Sequence, residues 1–293
     1  MRPWTLVSPA SRGIGFALTR HLLQTTRAPV VATARKDLER TKEELLDGLE
    51  NVDRERLTVL ELDVLEESTI ASASSRCAAL FSPKNNTLQL SFLVPGILYP
   101  EKSPAQIDAT DALLTFRTNT LGPMLMLKHF SGFLPKKQKS SSPPSQHSTS
   151  IPSITAVMSA RVGSISDNHL GGWYSYRASK AGVNQVVKTF DNFLRTRSGD
   201  AAVAVGLHPG TVRTGLSKEF WGSVREEKLF ERQWVAERLV RVVGGLWAEG
   251  RRNEGDVVAG RERDGDMGPD GSRERVLEMR GRCWDWDGKE VPP

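Results

Sequence analysis

Cysteine is scarce in this chain. Its two residues, Cys77 and Cys283, lie far apart, with no Cys-x-x-Cys pair and no histidine cluster nearby, which argues against a disulfide framework and against a zinc or other metal site. Long apolar runs are also missing. No stretch approaches the roughly 20 residues that a membrane-crossing helix needs, and the first strand is expected to begin at Trp4, leaving no room for a leader ahead of it. Nor is there a large block of one charge. The 40 basic and 35 acidic residues leave a net charge of +5 spread along the sequence, so neither nucleic acid nor a membrane is expected as a partner. Together these absences point to a reducing, cytoplasmic setting.

What is present is alternation. WTLVSP, PVVATAR, LTVLELDV, LQLSFLVPG, SITAVMSA and AVAVGLHPG are short apolar runs, each followed by a helical pattern or a helix entry, the arrangement of parallel strands joined by crossover helices. Ile14, Leu18 and Leu22 recur at helical spacing, as do Leu38, Leu45 and Leu49 among the charges of KDLERTKEELLDGLE, so each helix has one face for a sheet. Runs such as LSFLVPG and VAVGL are apolar throughout, as strands covered on both faces are. The expected fold is α/β, a Rossmann-type doubly wound parallel sheet forming a single domain over residues 1–293. Two low-complexity segments interrupt it. Residues 136–153 are rich in Ser, Pro and Lys, and residues 249–278 mix glycines with both signs of charge and offer little to bury; both are expected to be flexible insertions. The aromatics of CWDWDGKEVPP suggest a last strand at the sheet edge.

Two short stretches carry chemistry. SPASRGIGFAL, residues 8–18, links the first strand to the first helix, where backbone N–H groups and the positive helix end can hold a pyrophosphate. Glycine in such a turn also serves close packing, so Gly13-Ile14-Gly15 is not specific by itself. In GGWYSYRASKAG, residues 171–182, Tyr176 and Lys180 stand four apart and project from one face of a helix. A phenol of ordinary pKa about 10 is a poor acid or base at neutrality; a nearby cation stabilises phenolate, and moving the pKa three units takes about 4 kcal/mol.

Together these stretches resemble the short-chain dehydrogenase/reductase family, whose patterns are TGxxxGxG and YxxxK. NTLGP, residues 119–123, is similar to that family's asparagine segment, and HPGTVRTGL, residues 208–216, to its PG motif. PEKSPAQID, SARVGSISDN and DWDGKE resemble the branch related to C-factor proteins. The resemblance implies NADP(H) as cofactor, with NAD(H) less favoured, because Arg35 ends the second strand where an acidic residue would serve NAD, and Arg12 precedes Gly13. A solvated helix-start residue is the alternative for Arg35. The implied cofactor contacts are Ser11, Arg12, Gly13, Ile14, Gly15, Arg35, Asp63, Val64, Gly96, Asn119, Tyr176, Lys180, Pro209, Gly210, Val212 and Thr214. Asp63 is read as an adenine contact, with a helix N-cap as the plainer role. The implied reaction moves a hydride between the nicotinamide and a ketone, aldehyde or secondary alcohol. In it Tyr176 is the general acid/base, Lys180 lowers the tyrosine pKa and holds the ribose, and Asn119 anchors a proton-relaying water. A homodimer or homotetramer is implied too.

Three departures stand out. Pro9 replaces the first glycine of TGxxxGxG, and Val94-Pro95 stand where Asn and Ala usually precede Gly96. The most consequential is SARVG, which places Ala160 where the family's active serine belongs. Ser159 is the first substitute and Ser164 the alternative. A low-turnover, NADP-binding sensor is therefore the competing function. Trp173, Phe220 and Trp221 either line an apolar substrate pocket or pack as core or lid; His169 and His208 receive no role.

Overall fold

The computed structural model describes residues 1–137, 151–244 and 269–293. In chain order the elements are β1 (Arg2–Ser8), α1 (Gly13–Thr25), β2 (Val30–Ala34), α2 (Leu38–Leu46), β3 (Leu57–Glu61), α3 (Glu67–Leu80) and β4 (Asn86–Leu93). Then follow α4 (Ala109–Phe116), α5 (Gly122–Phe130), β5 (Ser153–Met158), α6 (Tyr174–Ser198) and β6 (Ala202–His208). The chain closes with β7 (Thr211–Val212), β8 (Leu229–Phe230), α7 (Arg232–Gly244), α8 (Pro269–Met279), β9 (Cys283–Asp285) and β10 (Glu290–Val291). Each of the six apolar runs forms a strand.

The main sheet runs β10-β9-β6-β5-β4-β1-β2-β3, and β7 pairs with β8 separately. Every pairing in the main sheet is parallel except the β9–β10 hairpin. Between β1 and β4 the order of strands reverses, so the crossover helices diverge to opposite faces and leave a crevice at the carboxyl ends. The segments that follow β1, β4, β5 and β6 meet there.

Helices cover the sheet on both sides. On one face Leu18 and Leu22 of α1 pack with Val235 and Leu239 of α7. On the other, Ile70 of α3, Phe130 of α5 and Val187 and Leu194 of α6 share a core with Trp4, whose ring stacks on Phe81 at 4.8 Å and meets Phe133 edge-on at 5.3 Å. Removing a ring so enclosed costs about 3–5 kcal/mol. No described helix is long and apolar enough to cross a membrane.

One segment differs from expectation. Most of 136–153 and of 249–278 lies outside the described residues, but the second segment ends in α8, where Val276 and Met279 are buried in the α1–α7 core. Their spacing of three places both on one helical face, while Glu274, Arg275 and Glu278 beside them turn outward. The charge-rich composition concealed a narrow apolar stripe.

Candidate active site

Lys180 is almost wholly enclosed. Its ammonium donates a hydrogen bond to the Met158 carbonyl at the end of β5 at 2.8 Å and lies 5.7 Å from the centre of the Tyr176 ring. Burial pushes the Lys180 pKa down to about 8 and that of Tyr176 up to about 12. The expected direction for the phenol is thus reversed in the protein alone, because loss of water on burial disfavours the phenolate. The neutral, proton-bearing phenol is the resting form.

Asn119 ties this pair to the sheet. It lies in a widened helical turn, Arg117–Leu121, between α4 and α5, and is fully buried. Its amide nitrogen donates to the Ile97 carbonyl and to the Ser179 hydroxyl, both at 3.0 Å, while its oxygen accepts from the Ile97 N–H at 2.8 Å. Such widened turns often mark working positions in helices. Here the turn brings Asn119 against α6 between Tyr176 and Lys180. Gly96 lies beside the three: a Cβ added there would sit 3.9 Å from the Lys180 nitrogen and 4.0 Å from the Asn119 oxygen.

The glycine loop completes the crevice. Gly13 is left-handed at φ 61°, and a Cβ on Gly15 would fall 1.9 Å from the Pro9 carbonyl oxygen, so only glycine lets α1 start this close to β1. No side chain caps α1 and no acidic residue sits in its first turn, which leaves its N–H groups for an anion. Ser11, Arg12 and Arg35 are exposed at this rim. Thr214 approaches Gly13 from beyond β6, within 3.7 Å of where a Cβ would be. Gly210, at φ 74°, lies where a Cβ would meet the Phe230 ring at 2.7 Å, and Val212 pairs with Phe230. Pro209 precedes this turn. Asp63 closes a turn by accepting from the Leu65 N–H at 3.0 Å, whereas Glu66 stands at the N-cap of α3, so the N-cap role for Asp63 is not realised. Val64 packs at Gly122, where a Cβ would come within 2.8 Å of it.

The sequence profile of the short chain dehydrogenase family matches residues 3–224. The chain belongs to the short-chain dehydrogenases. It is 26% identical over 244 residues, 83% of this chain and 92% of the relative, to 1-hydroxy-2-glutathionyl-2-methyl-3-butene dehydrogenase of Rhodococcus sp. (strain AD45). Over 110 residues it is 36% identical to C-signal of Myxococcus xanthus, covering 38% of this chain and 57% of that one. Among solved structures, NADPH-bound carbonyl reductase from chicken fatty liver superimposes with a TM-score of 0.72 at 22% identity over the whole of both chains. That last likeness is one of fold.

This short-chain dehydrogenase uses its serines differently from the family pattern. The Ser159 hydroxyl donates to the Asn184 side chain on α6 at 2.6 Å, and that of Ser164 donates to the Pro293 carbonyl at 3.1 Å and accepts from the Asp167 N–H at 3.1 Å. Neither hydrogen bonds to Tyr176. Ala160 presents only a methyl group and is buried. Arg161 meanwhile bridges Asp167 at 3.1 Å and Asp285 at 3.2 Å, binding this loop to the β9 edge.

Glu101 was missed as an individual residue. It is 4% exposed, and its carboxylate accepts from the Ser175 N–H at 2.8 Å and the Ser175 hydroxyl at 2.5 Å, capping the helix that carries Tyr176. Its PEKS context was visible, but a partner 74 residues away was not. His208 is kept neutral by burial, its pKa pushed down to about 4. Among the described residues no group of His, Cys, Asp and Glu is arranged to hold a metal ion, and His169 joins none.

Proposed function

We propose that this short-chain dehydrogenase is an NADPH-dependent carbonyl reductase, with ketones or aldehydes as substrates and secondary alcohols as the reverse ones. The observation that carries this reading is the enclosed Tyr176–Lys180 pair beside Asn119 and Gly96, at the strand ends where an uncapped helix N-terminus awaits an anion. The crevice suits a dinucleotide. Backbone N–H groups from Ser11 to Gly15 hold the pyrophosphate, Arg12 and Arg35 take a ribose 2′-phosphate, and Asp63 and Val64 flank the adenine. Pro209, Gly210, Val212 and Thr214 border the nicotinamide end, and Lys180 holds its ribose. Bound NADPH supplies a hydride to the carbonyl carbon.

The chain's own part is proton delivery. With its pKa near 12 in the protein alone, Tyr176 holds its proton at neutral pH and releases it to the substrate oxygen as negative charge develops there. The C=O bond becomes CH–OH, the phenolate is left beside the Lys180 ammonium, and water anchored at Asn119 returns the proton. Oxidation of an alcohol runs through the same groups in reverse, with the phenolate taking up the alcohol proton. The test is NADPH consumption over a panel of carbonyl compounds; turnover surviving unchanged in Tyr176→Phe would remove the mechanism.

Ala160 and the engaged hydroxyls of Ser159 and Ser164 favour a second reading, an NADP-binding sensor with little turnover. Tight NADPH binding without reduction, in the native chain and in Ala160→Ser alike, would select it. Two further readings go with the enzyme. The exposed Leu113, Phe116, Leu121 and Met124 of the α4–α5 stretch and Phe193 of α6 suit a second copy of the chain, as a homodimer or homotetramer; a sedimenting species that stays monomeric at every concentration would exclude this. The free thiols of Cys77 and Cys283 accord with a cytoplasmic setting, and export of the folded chain to an oxidising compartment would contradict it.

A further inference from the structure

The turn that leads into α6 is strained. Gly171, Gly172 and Trp173 are left-handed in succession, at φ 64°, 66° and 52°. Glycine accepts that conformation freely, while a bulky aromatic residue does so only when its surroundings insist. They do so from several sides. The Trp173 N–H donates to the Glu101 carbonyl at 2.6 Å. Arg177 donates through Nε to the Gly171 and Gly172 carbonyls at 3.1 and 3.0 Å, and through Nη1 to the Val162 carbonyl at 3.3 Å. A Cβ on Gly172 would press to 3.3 Å from the Glu101 carbonyl oxygen.

The turn sets the place of the indole. Its ring stands edge-on to Tyr176, with centroids 6.1 Å apart and planes at 78°, and leans on Phe220 at 4.9 Å. Phe220 belongs to the loop between β7 and β8, which is itself pinned: Trp221 donates to the Ser217 hydroxyl at 2.9 Å, and the Arg213 guanidinium lies 5.4 Å over the Trp221 ring. The phenol that delivers the proton is thus bordered by the Trp173 ring, which is backed in turn by Phe220 from a different part of the chain. Position 160, from which a hydroxyl would orient the substrate oxygen, offers a methyl.

We propose that Trp173 is the specificity-determining residue of this site. With Phe220 it forms an aromatic wall that selects carbonyl compounds bearing a flat aromatic ring on the carbonyl carbon over small aliphatic ones. Edge-to-face and offset contacts with that ring orient the substrate where no serine does. The proposal rests on the carbonyl-reductase reading and names the substrate class for it.

Trp173→Gly is the informative variant, because glycine suits the left-handed turn while the ring is lost; Trp173→Phe restores a ring. Calorimetric titration of the NADPH-loaded protein with benzyl alcohol and with ethanol reads binding without turnover. The native protein is expected to prefer benzyl alcohol by about tenfold or more, the preference to vanish in Trp173→Gly, and most of it to return in Trp173→Phe. Absence of a preference in the native protein, or its survival in Trp173→Gly, overturns the proposal. Should Trp173→Gly not fold, Phe220→Ala decides alone, and an unchanged preference there overturns it. Turnover separates the two readings. If benzyl alcohol binds selectively but benzaldehyde is not reduced, the reductase reading fails and the wall stands; if benzaldehyde and acetaldehyde are reduced with equal kcat/KM, the reductase stands and the wall fails.

Discussion

On the proposed cofactor side of the crevice the chain works mainly with backbone. Gly13, Gly15, Gly96 and Gly210 clear space for close approach, and the start of α1 is left uncapped. On the proposed substrate side it works with side chains. Trp173, Phe220 and Tyr176 form an aromatic border, Glu101 and Arg177 hold its turn, and the hydroxyls of Ser159 and Ser164 are engaged away from the phenol. The contrast follows from the ligands. A dinucleotide presents phosphates and sugars whose contacts are met by N–H groups common to every residue, whereas discrimination among carbonyl compounds needs shapes that only side chains supply.

The two sides can be broken separately. Tyr176→Phe should have the largest effect, a fall of about 10²–10⁴-fold in kcat with NADPH binding retained, read from steady-state reduction beside a cofactor titration. Loss of NADPH binding as well would mean that the two sides are not independent. Ala160→Ser comes next: a hydroxyl returned to the substrate side is expected to raise kcat by up to about 10²-fold, and an unchanged rate would show that this position has no access to the reacting oxygen. Gly15→Ala is the converse. With 1.9 Å available to the Pro9 carbonyl, the methyl forces β1 and α1 apart, and a loss of about 1–3 kcal/mol in stability together with weakened NADPH binding is expected. Full NADPH affinity in that variant would remove the backbone account of the cofactor side.

The smallest effect sharpens the boundary between the sides. Lys180 has its folded-state pKa lowered from 10.5 to about 8 by burial, so its contribution to stability is present above the ordinary value and is lost as pH falls through about 8. Stability of the cofactor-free protein should therefore rise between pH 8 and 10. The Tyr176 pKa is raised from 10 to about 12, so its contribution is lost as pH climbs from 10 through 12. Thermal melts across this range should show a maximum near pH 10, and Lys180→Met should remove the rising limb, giving up to about 3 kcal/mol more stability at neutral pH. A rising limb that survives in Lys180→Met assigns the effect to another group.

Much of this was legible in the sequence because it depends on neighbours along the chain. The apolar runs specify strands, and a spacing of four puts Tyr176 and Lys180 on one helical face whatever surrounds them. The steric demand at Gly15 is likewise local. Ser159 shows the opposite case. Its hydroxyl is drawn to Asn184, and Ser164 is drawn to Pro293, through contacts 25 and 129 residues long in sequence. Glu101 was hidden in the same way. In α8 the buried Val276 and Met279 were masked by the charges beside them.

Local stereochemistry and the period of apolar residues therefore determined the doubly wound α/β frame, the glycine turn and the Tyr176–Lys180 pairing, since each depends on atoms a few bonds or one helical turn apart. Only the tertiary structure decided which hydroxyls remain available, that burial raises the Tyr176 pKa despite its cationic neighbour, and that Trp173 faces the phenol. Those outcomes depend on how much water is excluded and on which distant groups arrive, and both are properties of the packed chain.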